Sequence, residues 1–308
     1  MSKIAFLFPG QGAQTVGMGK DLAEVFPSAA RVYEEASEAL GWDVADVCFN
    51  GPKEKLDNTS ICQPAILTTS LAAVAAMREA GRKDIERCKA AAGLSLGEYT
   101  ALVAAKAIAF SDALQLVQKR GAFMEDACKQ NPGSMMSVLG LEDDLVEAIC
   151  AQAREQGMVV AANFNSPGQV VISGTREGLD RAAELAKQRS AKRVIPLAVS
   201  GAFHSPLMAP AADRLEQALS ETPFAPCAFK VVSNVTAKPA ADPEEIRLTL
   251  AKQVNSPVRW CQSMRYLIED GITHFIEVAP GKVLTGLMKR IAPEAKVENI
   301  SSAESLGA

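Results

Sequence analysis

A serine between glycines, Gly93-Leu94-Ser95-Leu96-Gly97, stands where a short apolar run meets a helix-like stretch, and no other feature of the chain constrains its fold as tightly. The residues before it, Cys88 to Gly93, suit a buried strand, and GEYTALVAAKA after it suits a helix. A tight strand-to-helix turn needs small residues on either side so that neighbouring backbone can close in. It also leaves the serine hydroxyl exposed at the strand end, with the following N–H at a helix N-terminus facing the place where an oxyanion would form. The plain alternative is a glycine-rich turn with a serine cap. The strand before and the helix after favour a nucleophile.

Short apolar runs and helical periodicities alternate along the rest of the chain. Ile4 to Phe8 reads as a first strand stopped by Pro-Gly, and helices are expected over Ser28–Leu40, Pro64–Ala80, Leu96–Ala107 and Asp112–Lys129. This alternation points to an α/β fold with a mostly parallel sheet covered on both faces. The middle differs: strands over Ser134–Leu139, Met158–Asn163, Gln169–Ser173 and Arg193–Val199 with helices over Asp143–Gln156 and Leu179–Gln188 give the order β-α-β-β-α-β of a ferredoxin-like unit. Asn131-Pro132-Gly133 and Ser200-Gly201 are suitable hinges. The expected division is a discontinuous large domain, 1–130 and 200–308, carrying a small subdomain, 131–199. A further strand is expected over Ile272–Val278.

Charge and cysteine usage narrow the function classes. A net charge of −4 makes the chain a poor candidate for general binding to nucleic acid or an anionic membrane, which needs a basic face, so an acidic partner would have to find a local basic patch. Seven cysteines without a CxxC or a histidine cluster read as free thiols in a reducing compartment, not as disulfides or zinc ligands. The apolar start is too short for a signal peptide, and Ala65 to Met77 is too short to span a bilayer. The expectation is a cytoplasmic monomer without metal, cofactor, membrane or nucleic-acid partner.

A serine needs a base, and the chain has two histidines. His274 lies in a strand pattern and reads as packed structure. His204 lies in a loop after a strand, where catalytic groups concentrate, and is the favoured base. Arg120 falls in the apolar stripe 113, 116, 117, 120, 124, 127 of its helix. A buried guanidinium requires an anionic partner, either a structural carboxylate or a substrate carboxylate held by two hydrogen bonds; periodicity alone favours the structural pair. The glycine-rich loop from Gly10 to Gly17 fails both nucleotide patterns, with Thr15 where a third glycine belongs and Met18 where a P-loop needs lysine, but its N–H groups can face an oxyanion.

Taken together, FPGQGAQ (8–14), QPA (63–65), GLSLGEY (93–99), QKRGAFM (118–124), NFNSPGQVVISG (163–174), GAFHSPLM (201–208) and QVNSPVRW (253–260) resemble the malonyl-CoA:acyl carrier protein transacylases of bacterial fatty-acid synthesis. The resemblance implies a hydrolase-like core with an inserted ferredoxin-like subdomain, and malonyl transfer from malonyl-CoA to the phosphopantetheine thiol of acyl carrier protein. It implies Ser95 as nucleophile, His204 as base, the main-chain carbonyl of Gln253 as orienter, and the N–H groups of Gln11 and Leu96 as oxyanion hole. Arg120 would bind the malonyl carboxylate, overturning the structural pair; Gln63 and Met124 would line the acyl pocket, and Phe203 would leave little room for an α-methyl. The family usually carries His where this chain has Leu94, so any polar role there is lost or supplied elsewhere. Lys187 to Arg193 is read either as a docking patch for the acidic carrier or as a solvated helix end. The alternatives are a discrete polyketide-type acyltransferase, a serine thioesterase or other hydrolase, and a non-catalytic carrier-binding scaffold.

Overall fold

The computed structural model describes residues 3–308. Its strands are β1 (Lys3–Phe8), β2 (Cys88–Gly93), β3 (Ser134–Leu139), β4 (Val159–Ser166), β5 (Gln169–Gly174), β6 (Arg193–Pro196), β7 (Lys230–Val232), β8 (Ile272–Val278) and β9 (Lys296–Ile300). They form two sheets. The first has the order β7-β2-β1-β8-β9 with every pairing parallel. Its central strands are buried along almost their whole length, as a sheet covered on both faces must be. The second, β4-β5-β3-β6, is antiparallel.

The helices that matter for the site are α1 (Thr59–Glu79), α2 (Gly97–Ala104), α3 (Phe110–Gln130), α4 (Asp143–Ala153), α5 (Arg176–Gln188) and α6 (Pro243–Gln253). Helices α4 and α5 lie on one face of the second sheet and bury Val146, Ile149, Leu179 and Leu185 against Val138, Val170 and Ile172. That face makes a core of its own. The second sheet is tied to the rest of the chain by paired backbone bonds, Phe164 N–H to the Val258 carbonyl (2.9 Å) and Val258 N–H to the Ala162 carbonyl (2.8 Å).

Several element boundaries depart from the sequence reading, and three of them bear on the site. Helix α1 begins at Thr59 rather than Pro64, because the Asn58 side chain accepts the Ser60 N–H and caps it one turn earlier. Pro64 then sits inside the helix. At 21 residues and with this apolar composition, α1 is long enough to cross a bilayer, but most of it, from Cys62 to Ser70 and beyond, is buried inside the fold. Helix α2 stops at Ala104 rather than Ala107: Lys106 turns left-handed (φ 60°), and the Lys106 and Ala107 N–H groups close back on Val103 and Leu102. Strand β6 ends at Pro196, one residue before a last backbone bond from the Leu197 N–H to the Met135 carbonyl (3.0 Å); Leu197 and Val199, read as strand, line a pocket wall instead.

Candidate active site

The register of the parallel sheet builds the site. Strands β1 and β2 are neighbours with Phe8 opposite Gly93, so the loops leaving their carboxyl ends emerge side by side. Gln11 lies three residues beyond Phe8 and Leu96 three beyond Gly93. Among the described residues neither backbone N–H has a hydrogen-bond partner, and both residues line the same pocket as Ser95.

The turn at Ser95 has the strain and the close packing that an exposed nucleophile requires. Ser95 has φ 51°, a region that a residue with a side chain enters only where the surroundings hold it. A Cβ on Gly97 would lie 2.1 Å from the Phe8 carbonyl oxygen, and one on Gly93 would lie 1.8 Å from the Gly97 carbonyl carbon, so neither position admits a side chain. Asn234, just beyond β7, clamps the turn: its Oδ1 accepts the Ser95 N–H (2.6 Å) and its Nδ2 donates to the Gly93 carbonyl (2.7 Å). Its reach follows from the pairing of β7 with β2.

His204 is buried and faces the serine, with Nε2 2.9 Å from Ser95 Oγ and Nδ1 2.8 Å from the Gln253 carbonyl. Gln253 closes α6, where the final carbonyls have no helical donor left, so one is free to accept the imidazole Nδ1–H. That bond fixes the tautomer with Nε2 open to take the serine proton. No carboxylate is needed as third member. Burial, then the nearby Arg120 charge, push His204 down to about 4, so it is neutral and able to act as a base through the physiological range. The other histidine, His274, is buried 3.4 Å from Glu298, away from the pocket lining.

Arg120 is 1% exposed on α3. Its NH1 donates to Gln63 Oε1 (2.7 Å), and its NH2 donates to both Gln253 Oε1 and Ser95 Oγ (2.9 Å each). Among the described residues it forms no ion pair and its Nε has no partner, so the structural carboxylate favoured by periodicity is not there. Met124 and Phe203 line the pocket with Met135, Val171, Leu197 and Val199 from the neighbourhood of the second sheet. Gln63 does not: it is fully buried behind Arg120, holding the guanidinium with Oε1 and reaching Met124 Sδ with Nε2 (3.5 Å). Leu94 lines the pocket and leans on the apolar cluster of Leu7 and Trp260.

Sequence reasoning missed Asn234 and Glu98. Glu98 is buried on α2 and accepts hydrogen bonds from the Asn234 N–H (3.0 Å) and Gln253 Nε2 (2.7 Å); Gln253 Nε2 also reaches the Ser95 carbonyl (3.0 Å). The Gln253 amide therefore stands between the Glu98 carboxyl and the Arg120 guanidinium. Glu98 lies in the GLSLGEY segment, so its type was visible but its burial was not.

Burial pushes Glu98 up to about 7 from an ordinary 4.5. A carboxyl whose folded value is raised favours the fold fully below about 4.5 and loses that contribution as pH rises through about 7. Glu98→Gln, which cannot titrate, is expected to gain about 3 kcal/mol of stability relative to the wild type between pH 4.5 and pH 8. Urea unfolding of both proteins at the two pH values measures this, and a pH-independent difference would show that Glu98 does not titrate in that window.

Other nucleophiles and metal groups are accounted for. All seven cysteines are free, and burial pushes the thiols of Cys48, Cys62, Cys88 and Cys150 up to about 12, so they supply no thiolate. Among the described residues no three His, Cys, Asp or Glu side chains gather as a metal group.

With this geometry in place, comparison with known proteins identifies the family. The acyl transferase domain family matches residues 5–308. The malonyl CoA-acyl carrier protein transacylase of Bacillus subtilis is 45% identical over 308 residues, covering 99% of this chain and 96% of its own, and that of Escherichia coli K12 is 42% identical, covering 100% and 99%. The chain belongs to the malonyl-CoA:acyl carrier protein transacylases of the acyl transferase family. Solved transacylase structures agree with the fold. The acyl-carrier-protein S-malonyltransferase of Burkholderia pseudomallei superposes with a TM-score of 0.95 at 43% identity over 99% of this chain and 98% of that one. A malonyl-transacylase in complex with a type II polyketide acyl carrier protein does so with a TM-score of 0.95 at 41% identity, over the same shares. The transacylase fold here is the α/β, hydrolase-like one, with a parallel sheet and a small antiparallel sheet.

Proposed function

We propose that this protein transfers the malonyl group of malonyl-CoA to the phosphopantetheine thiol of acyl carrier protein, through an ester on Ser95, and so supplies fatty-acid elongation. The observation that carries this reading is the pairing of a serine–histidine dyad with a buried guanidinium that forms no ion pair among the described residues. In the first half-reaction His204 Nε2 takes the Oγ proton as Ser95 attacks the thioester carbonyl. The Gln11 and Leu96 N–H groups hold the developing oxyanion, and coenzyme A leaves as the imidazolium returns the proton to sulfur. The carrier thiol then attacks the acyl-serine by the same route in reverse. Arg120 holds the malonyl carboxylate, and Met124 and Phe203 bound the acyl group.

Residues 131–199 act in this reading as a subdomain closing the pocket against the large domain of 1–130 and 200–308. The reaction is placed in the cytoplasm and in a single copy of the chain, with no metal or cofactor. Lys187, Arg189, Lys192 and Arg193 are exposed at the end of α5 and the start of β6 and are available to an acidic carrier.

The test is intact-protein mass after brief mixing with malonyl-CoA. A malonyl-sized gain is expected in the wild type, absent from Ser95→Ala and discharged by carrier protein. A gain that persists in Ser95→Ala would place the ester elsewhere, and free malonate accumulating without carrier would make the protein a hydrolase.

A further inference from the structure

Arg120 touches the nucleophile itself. Its NH2 donates to Ser95 Oγ at 2.9 Å, and His204 Nε2 stands at the same distance from the same oxygen. The serine proton goes to the imidazole, so the guanidinium occupies a lone pair of Oγ, the electrons an attack on carbonyl carbon requires. The guanidinium also has no carboxylate against it; its face lies over the Tyr99 ring, 5.5 Å from the ring centre. It has no ion pair among the described residues, its buried Nε has no partner, and the neutral Gln253 amide separates it from Glu98. When His204 takes the proton, an imidazolium forms against that positive charge, which the low-dielectric pocket makes unfavourable.

A ligand carboxylate on Arg120 would relieve both restraints. It would draw the guanidinium N–H groups from Oγ, and it would supply the negative charge that lets the imidazolium form. We propose that the Arg120–Ser95 contact holds the nucleophile in check until the substrate's own carboxylate engages Arg120, so that acidic acyl groups are selected when the serine is activated as well as when they bind. This rests on Arg120 being the carboxylate site of the reading above. A neutral acyl-CoA meets a serine still bound to the guanidinium and a base still facing its charge.

The experiment separates the carboxylate from the acyl group. p-Nitrophenyl acetate acetylates Ser95 without a carboxylate: the Oγ–carbonyl carbon bond forms, the ester C–O bond breaks, nitrophenolate leaves and the Oγ proton passes to His204. Formate supplies the missing carboxylate as a separate ion. Formate, against chloride at matched ionic strength, is expected to speed acetylation of the wild type saturably by about tenfold, the effect of one hydrogen bond to a charged group. Arg120→Met is expected to be acetylated about tenfold faster than the wild type without formate and to gain nothing from it. An unchanged wild-type rate with formate overturns the proposal, and this arm needs no folded variant. Loss of malonyl transfer in Arg120→Met with no gain in acetylation overturns the restraint and leaves the carboxylate site standing. Full malonyl transfer in that variant overturns the carboxylate site.

Discussion

His204→Ala is expected to lower the rate of Ser95 acylation by malonyl-CoA by about 10⁴–10⁶, the loss seen when one member of a nucleophile–base unit is removed. The reason is geometric. Ser95 Oγ has two close partners, His204 Nε2 and Arg120 NH2, and only the first can accept a proton. No second histidine lines the pocket, and Glu98 is turned away to Gln253 and Asn234. The pH profile of kcat/KM carries the same assignment. Because His204 is held down to about 4, its protonation should cut the rate only as pH falls toward 4, leaving no acid limb near the ordinary histidine value of 6.5. Single-turnover acylation followed by quenched mass measurement reads both quantities. A variant within about a hundredfold of the wild type would mean that another group takes the proton.

Arg120→Met is expected to lower kcat/KM for malonyl-CoA by about 10²–10³, the range for removing one partner of a buried charged pair. Transfer from acetyl-CoA should hold or rise, since that substrate has no carboxylate to lose. The side chain is aimed before substrate arrives: Gln63 and Gln253 fix NH1 and NH2, leaving Nε without a hydrogen-bond partner among the described residues. Such preorganisation is why the guanidinium is worth this much, because little reordering is left for the moment of binding. Rates with the two thioesters compared in one preparation test it, and equal losses for both would return Arg120 to a structural role.

Leu94 has a physical consequence that can be read directly. It stands on the pocket wall next to Ser95 but packs into the Leu7–Trp260 cluster, and the polar support of the turn comes from elsewhere. Asn234 holds the Ser95 N–H, and Gln253 holds the Ser95 carbonyl. The side chain at position 94 is therefore free to be apolar without loosening the serine.

The sequence by itself determined the elements and singled out Ser95 and His204. Strand runs at Cys88–Gly93, Ser134–Leu139 and Ile272–Val278 were legible because each is a short apolar or alternating segment bounded by turn residues, and local sterics suffice to set them. Ser95 was legible because glycines stand two residues to either side of it, where the turn admits no side chain, and His204 because one of two histidines sat in a loop. What depends on contact between distant segments was not legible. Asn234 reaches the turn only because β7 pairs with β2, and Gln63 stands behind Arg120, not on the pocket wall, because α1 packs across α3. The Arg120 stripe announced a buried charge, but periodicity states only that a face is covered, not by what. Only the tertiary structure decided that its partners are two amides, the Ser95 hydroxyl and the Tyr99 ring, because partners are set by which backbones the sheet and the helices bring together.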